Sequence, residues 1–295
     1  MGNETLKDAF LELIRRAATD LRPDVMDAMR KAAAAEGKGT PAASVLEQKI
    51  ENVRQAAEGS TPVCQDTGAL VFYIDYGPDH RQKDIEEAAK AATIGATEKY
   101  YLRPNAVDSI TGKNTRNNVG LDAPHFSFNQ RDEKGLRVRL LLKGGGSENC
   151  GAQYKLPDGK LKAGRDLEGA RKCVIDAVYA AQGKGCPPGI VGVCVGGARD
   201  TGYACAKEQF LRALDDRNPD PKLAEFETRL TGELNELGVG PAGLGGKTTV
   251  LGVKIGALHR MPACYFVSVA YCCWAYRKAF MTVSAEGEVT HHDRA

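Results

Sequence analysis

Apolar residues recur at helical spacing through the first sixty residues of the chain. The apolar positions of the first helix are Leu6, Phe10, Leu13, Ala17 and Leu21. Pro23 favours the start of a second helix, and the glycine-containing stretch 37–41 separates it from a third helix that ends near residue 55. The pattern predicts an N-terminal helical segment over residues 1–60.

The remainder of the chain alternates between the patterns of strands and helices. Apolar runs predict strands at residues 69–75, 136–142, 190–195, 248–255 and 265–270. Helical spacing predicts helices at residues 84–101, 167–181, 204–214 and 222–237. Such alternation predicts a mixed α/β fold in which the helical segment packs with one continuous α/β domain, residues 61–295. The last residues, 284–295, are mostly polar, and we expect them to form a solvated tail.

Composition and charge exclude several classes of protein. The 295 residues are 42% hydrophobic and 26% charged, and 40 basic against 38 acidic residues leave a net charge of +2. This balance argues against disorder and predicts neither a nucleic-acid nor an anionic-membrane partner. The longest uncharged run, 261–276, is shorter than the ~20 apolar residues that span a bilayer, and the start lacks a signal-peptide pattern. We expect a cytoplasmic protein.

Nine cysteines are present, and none forms a CxxC pair. A disulfide framework and a zinc ribbon are therefore not expected. Three cysteines lie in polar or rigid settings: Cys64 in CQDTG, Cys186 in CPPG and Cys273 in CCWAYRK. Taken singly, each can also be an ordinary core cysteine, and their spacing along the chain does not show that they meet.

Two glycine-rich segments are candidate ligand loops. KGGGSEN, 143–149, follows a predicted strand, and its three glycines indicate close approach of a ligand or of another backbone. GVGPAG, 238–243, and GLGGKTT, 243–249, approach nucleotide motifs, but the strand and helix that those motifs require are missing. Residues 243–249 could still present backbone N–H groups to an anion, which leaves a nucleotide-binding protein as one alternative, or form a helix C-cap and tight turn.

Several motifs in order resemble one enzyme family. CQDTG, KGGGSEN, CPPGIVGV, GLGGKTTVLGVKI and CCWAYRK are similar to the alpha half of iron–sulfur hydro-lyases, namely class I fumarases and L(+)-tartrate dehydratases. The polar stretch 102–118, read without the resemblance as an exposed or ligand-facing loop, resembles a further block of that family. The resemblance extends from about residue 10 to residue 285.

The resemblance implies an iron–sulfur cofactor. Cys64, Cys186 and Cys273 would bind a [4Fe–4S] cluster whose fourth iron has no protein ligand, with Cys272 as the alternative third ligand. Thiolates select such clusters, and an open iron acts as a Lewis acid.

The resemblance also implies which residues face the substrate. Gln65, Asp66, Arg103 and Gly145 would bind it, with Arg103 holding a carboxylate through a bidentate pair. Asp66 would in addition take part in proton transfer or orient water, its alternative being a simple loop-capping turn.

One family position differs in this chain. The family's histidine twelve residues before the third cysteine is replaced by Met261. His259, two positions earlier, is the candidate for that catalytic role if the chain shifts locally.

The function implied is that of a hydro-lyase alpha subunit acting on a small dicarboxylate, interconverting malate and fumarate or tartrate and oxaloacetate. Single-chain members carry a second domain with further basic residues and a proton-abstracting group. We therefore expect a separate beta subunit, in a heterotetramer of two alpha and two beta chains, and no activity of alpha alone. The cluster would lie near the interface with beta. The alternative within this resemblance is a non-catalytic iron–sulfur binding module.

Overall fold

The computed structural model describes residues 3–292, which form two units. Unit 1 contains the residues up to 23, 51–145 and those from 277 onward, and unit 2 contains 24–50 and 146–276. The helices are α1 (Asn3–Thr19), α2 (Pro23–Glu36), α3 (Pro41–Gly59), α4 (Gln82–Glu98), α5 (Gly145–Glu148), α6 (Leu167–Ala181), α7 (Arg199–Glu208) and α8 (Pro221–Glu236). The strands are β1 (Ala69–Tyr76), β2 (His125–Gln130), β3 (Leu136–Lys143), β4 (Ala152–Lys155), β5 (Gly189–Gly196), β6 (Val250–Leu258), β7 (Phe266–Cys272), β8 (Arg277–Val283) and β9 (Val289–His292).

Unit 1 is built on a five-stranded sheet with the strand order β2-β1-β3-β8-β9. β1 and β2 are parallel, and the other neighbours are antiparallel. Alternate residues of the strands point toward α1 and α4, because successive side chains of a strand face opposite sides of the sheet. Fully buried members of this core include Phe10, Phe72, Ile85, Leu140 and Met281.

The register of this sheet places three chain segments at one edge. Ala69, the first residue of β1, pairs with Lys143, the last residue of β3. Leu142 in turn pairs with Arg277, the first residue of β8. The segments before β1, after β3 and before β8 are therefore neighbours in unit 1.

Unit 2 contains a four-stranded sheet with the order β4-β7-β5-β6. β5 runs parallel to β6 and antiparallel to β7, with Ile190 opposite Cys272. On one face Val191 and Val193 pack in a core with α6 and α8. On the other face Gly192 lies against Ala206 of α7, so closely that it has no room for a side chain. β5 is thus buried on both faces, as its continuous apolar pattern indicates.

The mixed α/β class is confirmed, with local differences. α7 begins five residues earlier than predicted. Gly202 interrupts the helical pattern of the sequence, but it lies inside α7 because the helix packs closely there: a Cβ at Gly202 would lie 3.0 Å from Ser268 Oγ. β2, β4, β8 and β9 were not predicted. The tail expectation is wrong for 289–292, which pair with β8, whereas 293–295 lie outside the described residues.

The N-terminal helices do not all belong to one unit. α1 belongs to unit 1, α2 from Asp24 onward belongs to unit 2, and α3 contributes residues to both. The expected boundary at residue 60 remains a prediction.

Candidate functional site

The CQDTG segment precedes β1 in unit 1 and is joined to the polar stretch after α4. The Oγ1 atom of buried Thr67 accepts hydrogen bonds from the backbone N–H of Arg103 (3.0 Å) and from Nδ2 of Asn105 (2.8 Å). The guanidinium of Arg103 donates to the carbonyl oxygen of Gln65 at 3.4 Å. Residues Gln65 and Arg103, predicted to face a substrate, therefore lie together and are exposed.

Asn118 fixes the backbone of the same stretch. Its Oδ1 accepts from the N–H of Asn105 at 2.7 Å, and its Nδ2 donates to the carbonyl of Arg103 at 2.9 Å. Asn118 is 4% exposed, so these hydrogen bonds are shielded from water. The backbone of Arg103 is thus held while its side chain remains accessible.

Asp66 meets the glycine-rich segment that follows β3. The backbone N–H of Gly68 donates to Asp66 Oδ1 at 3.0 Å. A Cβ at Gly144 would stand 3.0 Å from Asp66 Oδ2, and one at Gly145 would stand 3.9 Å from it. The three successive glycines predicted close approach of a ligand or of another backbone, whereas the atoms nearest to Gly144 belong to the side chains of Asp66 and Arg277. Residues 145–148 form a single helical turn instead of an open loop.

Gly68 is required by its backbone and by its neighbour. Its φ is +80°, an angle that residues other than glycine rarely adopt. A Cβ at this position would lie 2.9 Å from the backbone of Lys143. This contact keeps the segments before β1 and after β3 together and so determines where Asp66 lies.

Arg277 is the charged residue that the sequence reasoning missed. It is 1% exposed at the start of β8, and within residues 3–292 none of its three guanidinium nitrogens has a hydrogen-bond partner. A Cβ at Gly144 would lie 3.7 Å from its Nη2 atom, so Asp66 and Arg277 both lie close to the same backbone position. A buried guanidinium is costly without an anion. An arginine directly after an uncharged run is the sequence signal that could have identified it.

Two of the three candidate cysteines meet at one end of the sheet in unit 2. Cys186 precedes β5 and Cys273 follows β7, which are paired strands. The N–H of Trp274 donates to the carbonyl of Cys186 at 3.3 Å. Cys186 is exposed and has a left-handed backbone (φ 53°), whereas Cys273 is 9% exposed.

Lys49 of α3 contacts the residue that follows each of the two thiols. Its Nζ donates to the carbonyl of Pro187 at 2.7 Å and is 5.2 Å from the centroid of the Trp274 ring. Burial lowers the pKa of Lys49 to about 8, and Cys186 and Cys273 act in the opposite direction when they are thiolates.

Cys272 has a different environment from Cys273. It is the last residue of β7, is 1% exposed, and is among the groups that, after burial, raise the pKa of Tyr276.

His259 lies away from this pair of thiols. It is exposed and follows β6, whose last residue pairs with Gly196 at the end of β5. Cys186 lies before the opposite end of β5, and at a rise of about 3.3 Å per residue the strand separates the two by roughly 20 Å. The structure therefore does not bring His259 to Cys186 and Cys273.

The donor set agrees with a thiolate-bound cofactor. Among the described residues, no group of three or more His, Cys, Asp and Glu side chains is arranged to hold a single metal ion. Cys186 and Cys273 form a pair of soft donors with an adjacent cation, which suits an anionic iron–sulfur group. Cys173, by contrast, is buried in the core, and burial raises the pKa of its thiol to about 12. The third candidate, Cys64, is half-buried in unit 1.

The anion site suggested by GLGGKTT is filled by the chain itself. The carboxylate of Glu36 accepts hydrogen bonds from the N–H of Lys247 (3.0 and 2.8 Å) and of Thr248 (2.7 Å). Glu36 is 6% exposed, and a Cβ at Gly246 would lie 2.7 Å from its Oε2. The backbone N–H groups of this segment do bind an anion, but that anion is the carboxylate of Glu36. Since a phosphate would have to displace Glu36, the contact argues against the nucleotide-binding alternative.

No helix within residues 3–292 has the length and apolar character that crossing a lipid bilayer demands.

Comparison with known proteins gives consistent similarities. The family model described as "Fumarate hydratase (Fumerase)" matches residues 7–282. The chain is 47% identical over 278 residues to "Putative fumarate hydratase class I" of Geobacillus stearothermophilus, which covers 93% of this chain and 54% of that protein. The chain therefore spans about half the length of this relative.

Two further relatives are similar in length to this chain. "Putative L(+)-tartrate dehydratase subunit alpha" of Methanocaldococcus jannaschii is 33% identical over 289 residues, 96% of this chain and 99% of that protein. "L(+)-tartrate dehydratase subunit alpha" of Escherichia coli K12 is 30% identical over 271 residues, 91% of this chain and 88% of that protein.

Proposed function

Because the chain belongs to the fumarate hydratase (Fumerase) family, we propose that it is the alpha component of an iron–sulfur hydro-lyase acting on a small dicarboxylate. The reaction adds water to, or removes it from, a pair such as malate and fumarate or tartrate and oxaloacetate. The observation that carries this proposal is the convergence of Asp66, Gly144 and Arg277 at one edge of the sheet in unit 1. A carboxylate and a guanidinium at one position suit proton transfer and anion binding.

The cofactor of this proposal is a [4Fe–4S] cluster held by Cys64, Cys186 and Cys273. Three thiolates leave one iron of such a cluster without a protein ligand, and when bound that iron supplies a Lewis acid for the substrate hydroxyl. Cys273 is favoured over Cys272 because Trp274, the residue after it, donates its N–H to the carbonyl of Cys186 and lies against Lys49, whereas Cys272 is still within β7 and is 1% exposed.

The substrate would be held and oriented by residues of unit 1. Arg103 can bind one carboxylate through two parallel N–H donors, and its hydrogen-bonded backbone limits the entropy lost on binding. Gln65 lies next to it and adds an amide. Gly145, exposed and without a side chain, lets a ligand approach the backbone closely.

Asp66 is the residue to which we assign proton transfer or the orientation of water. The N–H of Gly68 fixes Oδ1, so the carboxylate is presented in a defined orientation. We assign no such role to His259, because it follows the end of the sheet in unit 2 opposite to Cys186 and Cys273.

The assembly is a further part of the proposal. Two of the relatives are named as alpha subunits, which supports a separate beta subunit as partner. We propose a heterotetramer of two alpha and two beta chains, located in the cytoplasm, where free thiols such as the nine of this chain stay reduced.

Anaerobic reconstitution with iron and sulfide tests the proposal. Wild type, Cys64→Ser, Cys186→Ser and Cys273→Ser are compared with Cys272→Ser as the matched control. We expect the three ligand variants to lose bound iron, sulfide and visible absorbance, and the control to retain them. Retention of a full cluster in any of the three, or loss in Cys272→Ser, contradicts the ligand assignment.

Activity is then measured with fumarate, malate, tartrate and oxaloacetate after mixing with a candidate beta subunit. We expect hydration or dehydration of one pair, and Asp66→Asn to abolish it while the cluster remains. A stable cluster without activity on any of these compounds would favour the non-catalytic iron–sulfur module.

A further inference from the structure

Lys49 differs from its neighbours on α3. Glu47 and Gln48 are exposed, whereas Lys49 is half-buried and points to the segments that carry two candidate ligands. Its Nζ donates to the carbonyl of Pro187, directly after Cys186, and lies over the ring of Trp274, directly after Cys273. One ammonium group thus contacts both cysteine-bearing segments.

These contacts connect two segments that are 87 positions apart in the chain, at Cys186 and Cys273. The hydrogen bond fixes the Pro187 peptide, and the cation–π contact fixes the indole. An interaction of a cation with a tryptophan face is worth about 0.5–2 kcal/mol, depending on its exposure to water. Lys49 therefore limits the relative movement of the two thiols.

The charge of Lys49 also needs compensation. Neither a carbonyl nor an aromatic ring carries a full negative charge, and a half-buried ammonium loses part of its hydration. Cys186 directly precedes the carbonyl that Lys49 contacts, and Cys273 directly precedes the ring that it contacts, so thiolates at these two positions would oppose the effect of burial on Lys49. Thiolates bound to iron are negative, so a bound cluster would supply the countercharge.

We propose that Lys49 is a positioning residue for the iron–sulfur cluster, which fastens the two cysteine-bearing segments together and offsets the negative charge of the thiolate-bound group. The inference rests on the cluster assigned above to Cys64, Cys186 and Cys273. It adds a residue outside the ligand set that determines how firmly the cluster is held and at which potential it is reduced.

The two effects have separate signatures. A positive charge beside a cluster favours its more negative, reduced form, so removal of the charge shifts the reduction potential to more negative values. Removal of the hydrogen bond to Pro187 and of the contact with Trp274 should weaken the binding of iron. Loss of such supporting interactions typically lowers metal affinity by about 10-fold to 100-fold.

Three substitutions separate charge from geometry. Lys49→Met removes both the charge and the hydrogen bond, whereas Lys49→Gln removes the charge and retains an N–H donor for Pro187. Lys31→Met, at an exposed lysine of α2, is the matched control. Each protein is reconstituted anaerobically, and folding is checked by circular dichroism.

The measurements are the iron and sulfide content, the midpoint potential from a dye-mediated titration followed by electron paramagnetic resonance, and the rate of bleaching in air. We expect Lys49→Met to shift the potential to more negative values and to bleach at least about tenfold faster than wild type. Lys49→Gln should show the same shift with slower bleaching than Lys49→Met, and Lys31→Met should match wild type.

The outcomes distinguish this inference from the proposed function. A wild-type chain that takes up no cluster overturns the proposed function, and the role of Lys49 with it. A wild-type cluster together with unchanged potential and bleaching in both Lys49 variants overturns only the role of Lys49. If Lys49→Met does not fold, the midpoint potential of Lys49→Gln alone tests the role of Lys49: a shift to more negative values supports it, and an unchanged potential overturns it.

Discussion

The carboxylate of Asp66 lies directly against the backbone of Gly144, where a Cβ would stand 3.0 Å from Oδ2. The pairing of Ala69 with Lys143 enforces this proximity, because it brings the residues before β1 next to those after β3. A side chain at position 144 would therefore press on the carboxylate and shift it by a few tenths of an ångström.

Gly144→Ala should displace the Asp66 carboxylate and lower kcat/KM of the reconstituted enzyme at least about tenfold, since small misplacements of catalytic groups are expensive. Steady-state kinetics with the preferred dicarboxylate measures the effect. The control is Gly146→Ala in the same segment, where the nearest atom would lie 4.0 Å away. Equal activities of the two variants would contradict the assignment of Asp66.

Arg277→Met should have opposite effects on stability and activity. A buried guanidinium without a hydrogen-bond partner among the described residues destabilises the ligand-free chain, so a methionine of similar volume should raise the free energy of unfolding by about 1 kcal/mol or more. Affinity for the dicarboxylate should fall. Denaturant unfolding and KM are the two measurements, and a destabilisation of several kcal/mol would show that the arginine is paired.

Glu36→Gln should destabilise unit 2. The carboxylate accepts three hydrogen bonds from two N–H groups while buried, and an amide would direct its own N–H₂ toward one of them. We expect a loss of about 1–3 kcal/mol in the free energy of unfolding. Glu47→Gln, at an exposed position of α3, is the control and should be within error of wild type.

Alkylation of the cluster-free chain should follow exposure and thiol pKa. Cys186 is exposed and should react first with iodoacetamide. Cys173 and Cys194 should react last, because both are buried. Burial raises the pKa of Cys173, and the hydrogen bond with Cys205, together with burial, raises the pKa of Cys194. Mass spectrometry of time points measures the order. Modification of Cys173 before Cys186 would contradict the described burial.

Acid should weaken unit 1 through Glu12. The hydrogen bond from Arg15, with a second from Arg16, lowers the pKa of Glu12 to about 2. An unfolded glutamate has a pKa of about 4.3, so the unfolded chain takes up the proton first as the pH falls. The contribution of Glu12 to the free energy of unfolding is complete above the unfolded pKa and is lost between about pH 4 and pH 2. This contribution is at most about 1 kcal/mol, because Glu12 and its arginine partners are partly exposed to water. Glu12→Gln should remove this part of the pH dependence in unfolding titrations.

The local pattern of the sequence determined much of this protein. The helix 167–181 coincides with α6, and the strand predicted at 69–75 ends one residue short of β1. Periodicity predicts such elements because each buries a face that repeats within a few residues. The ordered motifs likewise identified the family, since they are properties of short segments.

Only the tertiary structure decided which chemical groups meet. The register between β3 and β8 buries Arg277 beside Gly144, and the contacts of α3 place Lys49 beside Cys186, although charged residues are ordinarily predicted to be exposed. The direction of β6 sends His259 to the other end of its sheet. These outcomes depend on pairing between distant segments, and the free energy of that pairing comes from burial and register, which no local pattern encodes.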